Sequence, residues 1–227
     1  MIHKHFKEIS STQQYLKDEL SQFQGDTLIS CESQIAGVGQ YDRTWDSYNE
    51  TLCCSFLFSP NKVLTLTSLE LACLVHKYFH QKYQINLKLK WPNDIINTKA
   101  EKVGGILLNH IDKKMVVGIG LNFNDNDIDS KKNYKTAYGI IFEQYFKFDK
   151  KIESKNLYEF CLKNRMDQGQ IISYWSENCI HMNKNIQIES NDKIDIGVFI
   201  GIGENGEAII KDSNQQVKSI YSGSLRF

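Results

Sequence analysis

The sequence predicts an α+β protein with a large domain at residues 1–182 and a small β-barrel at 183–227. In the large domain, some stretches repeat their apolar residues with a helical period, while others alternate or run together as strands do. We therefore expect a mixed β-sheet with flanking helices. After about Met182 only short β-type runs remain, and these roughly 45 residues are too few for a large core of their own. A small barrel packed on the main domain is the expected result.

Helix and strand signals follow one another in the first half of the chain. Ser10, Ser11 and Thr12 come before Tyr15 and Leu16 and provide a helix N-cap. The predicted elements are a helix from there to about Phe23, a strand at 27–33, a loop with Gly37 and Gly39, a strand at 51–58 ended by Pro60, an amphipathic helix at 65–82 and a strand at 85–90.

The second half begins with a predicted turn at 91–94. Apolar runs at 103–111 and 115–123, joined by Asp112, Lys113 and Lys114, predict a hairpin. The remaining expectations are a polar connection at 124–132, helices near 135–146 and 154–176, and strands at 186–189, 194–202, 207–211 and 217–221, with a hairpin turn at Glu204, Asn205 and Gly206.

Composition and charge exclude several classes of protein. The 227 residues are 41% apolar and 24% charged, as in ordinary globular proteins. Lys+Arg and Asp+Glu both number 27, so no net charge attracts nucleic acid or an anionic membrane. The N-terminus lacks the apolar core of a signal peptide, and no apolar run approaches membrane-spanning length. The six cysteines form no CxxC pair, so we expect reduced thiols and a cytoplasmic protein.

Two residue pairs have the spacing of functional sites and receive simpler interpretations. His76 and His80 lie four residues apart on the predicted helix, but no glutamate stands between them, and we interpret them as a solvated helix face. Cys53 and Cys54 are adjacent in a predicted strand, so their side chains point to opposite faces. We interpret both thiols as buried packing.

Three ordered segments carry the chemistry. They are Lys-Trp-Pro-Asn-Asp at 90–94, Lys-Val-Gly-Gly-Ile-Leu at 102–107 and Val-Gly-Ile-Gly-Leu-Asn at 117–122. Upstream lie Ser-Thr-Gln at 11–13 and a glycine loop that extends from Gln34 to Trp45. In this order the segments resemble the catalytic domain of biotin–protein ligases, and the end of the chain at 221–226 resembles the close of that family's C-terminal barrel. The resemblance implies a biotin/lipoate ligase-like domain with a small SH3-like β-barrel.

The resemblance also implies a reaction in two steps. Biotin and ATP form biotinyl-5'-AMP, and a lysine of a biotin carboxyl carrier domain, such as that of acetyl-CoA carboxylase, then takes the biotin. The first step brings two anions together, so the site needs a fixed positive charge. Lys102 is the candidate catalytic residue, because its ammonium can bridge the biotin carboxylate and the α-phosphate. ATP and Mg²⁺ are the expected cofactors and biotin is the expected substrate.

The family resemblance assigns the remaining site residues. Biotin-binding candidates are Ser11, Thr12, Gln13, Gln34, Gly37, Val38, Gly39, Gln40, Trp45, Lys102, Gly104 and Gly105. ATP-binding candidates are Arg43, Lys90, Asn93 and Asn122, and Asp94 is a candidate Mg²⁺ ligand. We expect the loop at 37–49 to be mobile when empty and ordered when the adenylate is bound.

The glycine loop departs from the family pattern. Relatives usually carry arginines beside the loop glycines, whereas this chain has Val38 and Gln40 there, and only Arg43 keeps a charge. This departure predicts a weaker electrostatic hold on phosphate.

Three alternative functions remain to be weighed. A lipoate or octanoate ligase or transferase shares parts of these motifs, but the glycine loop with Trp45 and the short β tail favour biotin. A biotin-responsive repressor would need an N-terminal helix-turn-helix, and the Ser-Thr-Gln segment begins too early for one, so we expect a monofunctional enzyme without DNA binding. A non-catalytic biotin-binding module is the third alternative, and the presence of Lys102 argues against it. The sequence does not decide between a monomer and a homodimer.

Overall fold

The computed structural model describes residues 1–23, 25–40, 43–45, 50–124, 138–190 and 193–227. The strands are β1 Ile2–Ile9, β2 Thr27–Gln34, β3 Gly37–Val38, β4 Thr44–Trp45, β5 Thr51–Phe58, β6 Lys88–Lys90, β7 Asp94–Ile96, β8 Lys102–Ile111, β9 Lys114–Asn122, β10 Asn185–Ser190, β11 Lys193–Ile202, β12 Ala208–Lys211, β13 Val217–Ile220 and β14 Ser224–Arg226. The α-helices are α1 Thr12–Asp18, α2 Leu66–Tyr83, α3 Lys150–Lys163 and α4 Gln168–Asn178, with a short 3-10 helix at Leu20–Gln22.

Seven strands form the main sheet, in the order β1-β2-β5-β9-β8-β7-β6. Strands β1 and β2 are parallel, and the other neighbours are antiparallel, so the sheet is mixed as predicted. The predicted hairpin is confirmed by the pairing of β8 with β9. Strand β5 lies near the centre and is buried along its whole length, because apolar groups cover both faces of the sheet.

Helices cover the two faces of the main sheet unequally. Helix α1 contributes Leu16 to a small apolar cluster with Leu57 and Val116. The larger cluster includes buried side chains of α2, α3 and α4 and the alternate residues of β5, such as Phe56. This division follows from the period of two along a strand, which sends neighbouring side chains to opposite faces.

The C-terminal strands form a second, antiparallel sheet in the order β13-β12-β11-β10-β14. Together with the mixed main sheet, this confirms the predicted α+β class. The two sheets share one apolar cluster, to which β10, β11 and β12 contribute Ile188, Phe199 and Ile210. The indole N–H of Trp91 donates to the carbonyl of Gly206 over 3.0 Å and links the two parts of the fold. The division at residue 182 stays a prediction.

Several predicted elements differ from the structure. The helix expected at 135–146 is wrong where it can be compared, because residues 138–146 form no helix. There the side-chain amide of Asn124 donates to the Phe146 carbonyl and accepts from the Phe146 N–H, which holds the chain in a loop. The helix expected at 154–176 is two helices, because Asp167 caps the second with a capping box. The first strand, β1, was not predicted.

Other boundaries shift by a few residues. The strand expected at 85–90 begins only at Lys88, and the turn expected at 91–94 runs into the short strand β7. The connection expected at 124–132 lies outside the described residues except for its start at Asn124. Of the loop at 37–49 that was expected to be mobile when empty, residues 41, 42 and 46–49 also lie outside them, and the mobility stays a prediction.

The histidine and cysteine interpretations have mixed outcomes. The solvated face predicted for His76 is wrong, because its ring is buried between the Tyr174 hydroxyl and the Leu87 carbonyl. His80 is exposed. Cys53 and Cys54 are buried, as predicted. Within the described ranges, no helix is both long and apolar enough to cross a membrane.

Candidate functional site

A cavity of about 630 Å³ lies where the glycine loop, the main sheet and the last residues of the chain meet. Most predicted site residues line it, although the sequence separates them widely. These are Ser11, Thr12, Gln13, Gln34, Val38, Gly39, Gln40, Arg43, Trp45, Lys90, Asn93, Asp94, Lys102, Gly105 and Asn122. Gly37 and Gly104 do not line it. The volume is in the range that suits small-molecule ligands.

Two lysines meet at one carboxylate in this cavity. The pairing of β7 with β8 sets Asp94 opposite Gly105. The Lys102 Nζ lies 2.6 Å from Asp94 Oδ1, and the Lys90 Nζ lies 3.2 Å from Asp94 Oδ2. The Lys102 ammonium also lies 5.9 Å from the centre of the Trp45 ring. Since an ammonium has three donors, the bond to Asp94 orients Lys102 and leaves capacity for a ligand.

The observed contacts of Asp94 are with two cations of the protein. Both oxygens of Asp94 face lysines. Among the described residues, no three His, Cys, Asp or Glu side chains come together as a metal site. The Mg²⁺ role of Asp94 stays a prediction, and its observed contacts are those of a positioning residue for Lys102 and Lys90.

The segment before α1 forms a hydrogen-bonded corner of the cavity. Ser11 is the N-cap of α1 and accepts from the Gln14 N–H, as the sequence predicted. The backbone N–H and the hydroxyl of Thr12 both donate to Gln34 Oε1, over 2.8 and 2.9 Å. Because the bond from the Thr12 hydroxyl uses its single hydroxyl proton, the Ser55 hydroxyl at 2.9 Å is the donor to Thr12 Oγ1.

Three buried polar atoms of the cavity lining have no hydrogen-bond partner among the described residues. They are Gln13 Oε1, Trp45 Nε1 and Asn122 Oδ1. Buried polar atoms are nearly always paired, and an exception of this kind needs an explanation. The atoms offer two acceptors and one donor to the same space, which is what a polar ligand would satisfy.

Glycines on β9 shape the cavity, and the sequence analysis gave them no role. A Cβ at Gly120 would stand 2.5 Å from the Trp45 indole, so the missing side chain makes room for that ring. A side chain at Gly104 would instead collide with Leu121 in the core, and one at Gly37 would meet the backbone of Trp45. Gly104 and Gly37 therefore serve packing at these contacts.

The end of the chain also lines the cavity, which sequence reasoning did not foresee. Residues 223–227 contribute to the lining, and the Arg43 guanidinium donates to the Ser224 hydroxyl over 3.3 Å. Asn93 is buried, and its amide nitrogen donates to the Ile106 carbonyl, which ties the motif turn to β8. In the sequence, only the resemblance of residues 221–226 to the end of the family's barrel drew attention to this part of the chain.

The profile of the Biotin/lipoate A/B protein ligase family matches residues 5–124, which is more than half of the chain. The chain belongs to this family. The matched residues contain the glycine loop, Lys102 and Asn122, so the family match and the cavity coincide.

Similar proteins extend the match to the C-terminal sheet. The structure of the Aquifex aeolicus biotin protein ligase in complex with biotin and ATP is 25% identical, has a TM-score of 0.83, and aligns over 99% of this chain and 98% of that one. The Helicobacter pylori biotin acetyl coenzyme A carboxylase synthetase shares the fold at 22% identity, with a TM-score of 0.71 over 96% of this chain and 98% of that one. The Bacillus subtilis bifunctional ligase/repressor BirA is 24% identical over 88% of this chain; the match spans 65% of that relative's length.

Proposed function

We propose that this chain is an ATP-dependent biotin–protein ligase. It joins biotin to the α-phosphate of ATP and then transfers biotin to a lysine of a biotin carboxyl carrier domain, that of acetyl-CoA carboxylase being the expected acceptor. The observation that carries the proposal is the single cavity in which Lys102, Lys90 and the unpaired polar atoms of Gln13, Trp45 and Asn122 lie together. The names of the similar proteins support the same reaction.

In the first step, a carboxylate oxygen of biotin attacks the α-phosphorus, and the bond to the β-phosphate breaks with its electrons leaving on pyrophosphate. Lys102 donates to the carboxylate and the α-phosphate oxygens as they approach, so their repulsion is reduced. Asp94 acts through its 2.6 Å bond to the Lys102 ammonium, which holds the cation in place before the ligands arrive. No step is assigned to a protein-bound metal.

In the second step, the acceptor amine attacks the acyl carbon of the adenylate, AMP leaves, and the amine loses a proton. The amide of the product links biotin to the carrier. The wall formed by Arg43 and residues 223–227 borders the same cavity.

Asn122 has a more precise role on the nucleotide side. Its amide nitrogen donates to the Gly139 carbonyl over 3.2 Å, so its unpaired Oδ1 is an acceptor. An acceptor oxygen repels a phosphate and suits a donor such as the adenine amino group. We therefore assign Asn122 to the base of ATP, and Lys90 to its phosphates together with Lys102.

The test uses the full chain, ATP, biotin and a purified carrier domain, followed by streptavidin detection. The expected result is labelling that requires both ATP and biotin and disappears when the acceptor lysine of the carrier is replaced by arginine. Labelling by lipoate or octanoate in place of biotin would assign the chain to the other branch of its family. Biotin binding without release of pyrophosphate would show a non-catalytic module.

A further inference from the structure

Two cysteines face each other across neighbouring strands of the main sheet. Cys31 of β2 lies directly opposite Cys53 of the antiparallel strand β5. Opposite residues of an antiparallel pair have Cα atoms about 4.5–5.5 Å apart, and their side chains share one face of the sheet. A disulfide joins Cα atoms about 4.4–6.8 Å apart, so this register permits one without a shift of the strands. The Cys31 thiol already donates to the Cys53 carbonyl, with 3.9 Å between the sulfur and that oxygen.

The two thiols differ in their access to the main cavity. Cys53 lines this cavity, where it stands opposite Gly120 of β9 and beside the Trp45 ring that covers Gly120. Cys31 is 1% exposed and does not line the cavity. Burial, and then the neighbouring Cys53, raise the pKa of Cys31 to about 12. Cys31 therefore keeps its proton at neutral pH, and a small oxidant that enters the cavity meets Cys53 first.

The remaining thiols are arranged differently. In the pairings of the described strands, no other two cysteines stand opposite each other. Cys54 follows Cys53 on β5 and therefore points to the opposite face, where it is buried near Cys161 of α3. Cys179 lies just after α4 and is partly exposed. Cys54 and Cys179 therefore provide the thiols with which the pair can be compared.

We propose that Cys31 and Cys53 form a site of oxidation by hydrogen peroxide, which reaches it through the main cavity. In the first step the Cys53 sulfur attacks one peroxide oxygen, the O–O bond breaks, and the other oxygen leaves as water with the thiol proton. Cys53 is then a sulfenic acid. In the second step the Cys31 sulfur attacks the Cys53 sulfur, the S–O bond breaks, and the hydroxyl leaves as water with the Cys31 proton. The two sulfurs lose two electrons in total, and the peroxide gains them.

The disulfide lies next to the hydrogen-bonded corner that Thr12 forms. Thr12 joins the same two strands, since it donates to Gln34 of β2 and accepts from Ser55 of β5. Cys31 precedes Gln34 by three residues and Cys53 precedes Ser55 by two, so the cross-link fixes both strands beside this corner. It also draws the Cys53 sulfur toward β2. Ligand binding in the cavity should weaken about threefold to tenfold, as for the loss of one hydrogen bond.

The first experiment treats the full chain with hydrogen peroxide at neutral pH and maps disulfides by mass spectrometry without reduction. We expect a cross-linked pair of peptides that contain Cys31 and Cys53 and that dithiothreitol separates. Biotin at ten times its Kd should slow the cross-linking about tenfold, because only the empty fraction of the protein reacts. Alkylation of Cys179 is the internal control and should proceed at the same rate with and without biotin.

The second experiment separates the two steps and measures their consequence. In Cys31→Ala the second step cannot occur, so dimedone should trap the sulfenic acid at Cys53; Cys31→Ser serves the same purpose if the alanine variant does not fold. Calorimetry with biotin should show the weaker binding in the oxidised unmodified chain and its recovery after dithiothreitol. Cys54→Ala and Cys179→Ser are the control variants and should cross-link as the unmodified chain does.

Each outcome decides one point. If no peptide joins Cys31 to Cys53 in the unmodified chain, the inference is wrong, whether or not the chain binds biotin. If calorimetry shows bound biotin and the cross-linking rate is unchanged, the oxidant does not enter through the cavity, which also contradicts the inference. Equal biotin affinity before and after oxidation would refute the effect on the Thr12 corner. If the chain binds no biotin in either state, the proposed function fails, and the peptide map still decides on the oxidation site.

Discussion

The carboxylate of Glu70 and the polar atoms of the main cavity are all buried, yet the chain gives them very different numbers of partners. Glu70 is fully buried on α2 and accepts from Arg165 Nε at 2.7 Å, Arg165 Nη2 at 3.1 Å, the Met166 N–H at 2.9 Å and the Asn61 amide at 3.2 Å. Gln13 Oε1 and Asn122 Oδ1 have no partner among the described residues.

This difference separates the residues that hold the fold from those that hold a ligand. A buried charge with a complete set of hydrogen-bond partners needs no ligand, and removing it destabilises the folded state. Unpaired groups in a cavity cost stability until a ligand supplies their partners. Changes at Glu70 should therefore alter stability with little effect on ligand selection, and changes in the cavity should do the reverse.

The largest effect is expected for Glu70→Ala. Four hydrogen bonds are lost and the Met166 N–H is left without its acceptor, so unfolding should become easier by about 3–5 kcal/mol. Chemical denaturation with a circular-dichroism readout measures this. Glu159→Ala, which removes an exposed i,i+4 partner of Lys155, is the matched control and should change stability by less than about 0.5 kcal/mol. A loss no larger than that of the control would contradict the structural role of Glu70.

Lys102→Ala should have the next largest effect, on rate instead of stability. A charge-assisted contact to the reacting groups is worth about 1.5–3 kcal/mol, so pyrophosphate release should slow at least about tenfold to a hundredfold. Biotin affinity should change less than the rate. Lys99→Ala removes an exposed lysine paired with Glu143 and serves as the control. An unchanged rate in Lys102→Ala would remove this residue from the mechanism.

His181 is a buried polar residue outside the main cavity. Its ring contacts the aromatic side chains of Trp175, Phe199 and Phe227, and its two ring nitrogens lack hydrogen-bond partners in the described part of the chain. Burial, and then the charges of Lys90 and Lys184, lower the pKa of His181 to about 3. The unfolded chain binds a proton near the usual value of 6.5 while the folded chain does not. Stability should therefore fall as the pH drops below that value.

Replacing His181 with Phe should remove this part of the pH dependence. Between about pH 6.5 and about pH 5 the loss attributable to one such histidine is about 1.6 kcal/mol. Denaturation curves of the unmodified chain and His181→Phe at both pH values measure the difference. The variant should still lose some stability as the pH falls, because burial also lowers the pKa of His76, to about 4. Parallel pH profiles for the two proteins would show that His181 does not titrate in this way.

The smallest expected effect concerns the glycine loop. Gln40 offers a neutral contact where relatives place arginine, and the difference of about 1 kcal/mol corresponds to roughly fivefold to tenfold in affinity. Gln40→Arg should therefore slow the dissociation of labelled biotinyl-adenylate, whereas Arg43→Ala should speed it. Three equal off-rates would show that the loop does not hold phosphate by charge.

Strong local patterns predicted most of the main sheet. Helix α2 and strands β2, β5, β8 and β9 were found because each has a long apolar pattern with one period. Strand β1 was missed because its His, Lys and Glu side chains hide the alternation, and because parallel pairing to β2 at the sheet edge leaves much of the strand open to solvent. Edge strands tolerate such residues.

The wrong helix near 135–146 and the undivided helix at 154–176 have a tertiary cause. Asn124 engages both backbone groups of Phe146, and Glu70 holds the Met166 N–H where a continuous helix would have used it. Neither partner is close in sequence, so no local window contains the information. The orientation of the Gln13 amide depends in the same way on Asn109 and Val116, about a hundred residues away. Motifs gave the members of the site, and contacts between distant segments give their hydrogen-bonding roles.

The hydrogen bond between Trp91 and Gly206 restricts which C-terminal barrels from relatives could replace the one in this chain. Gly206 has a φ of +78°, and a Cβ there would stand 3.0 Å from Leu69 of α2. A chimera that took its barrel from a relative would need both the carbonyl and the bare backbone at this position. A side chain there would press on Leu69, and loss of the carbonyl's alignment would remove the bond from Trp91. A change on one side of the contact between Trp91 and Gly206 therefore needs a matching change on the other side.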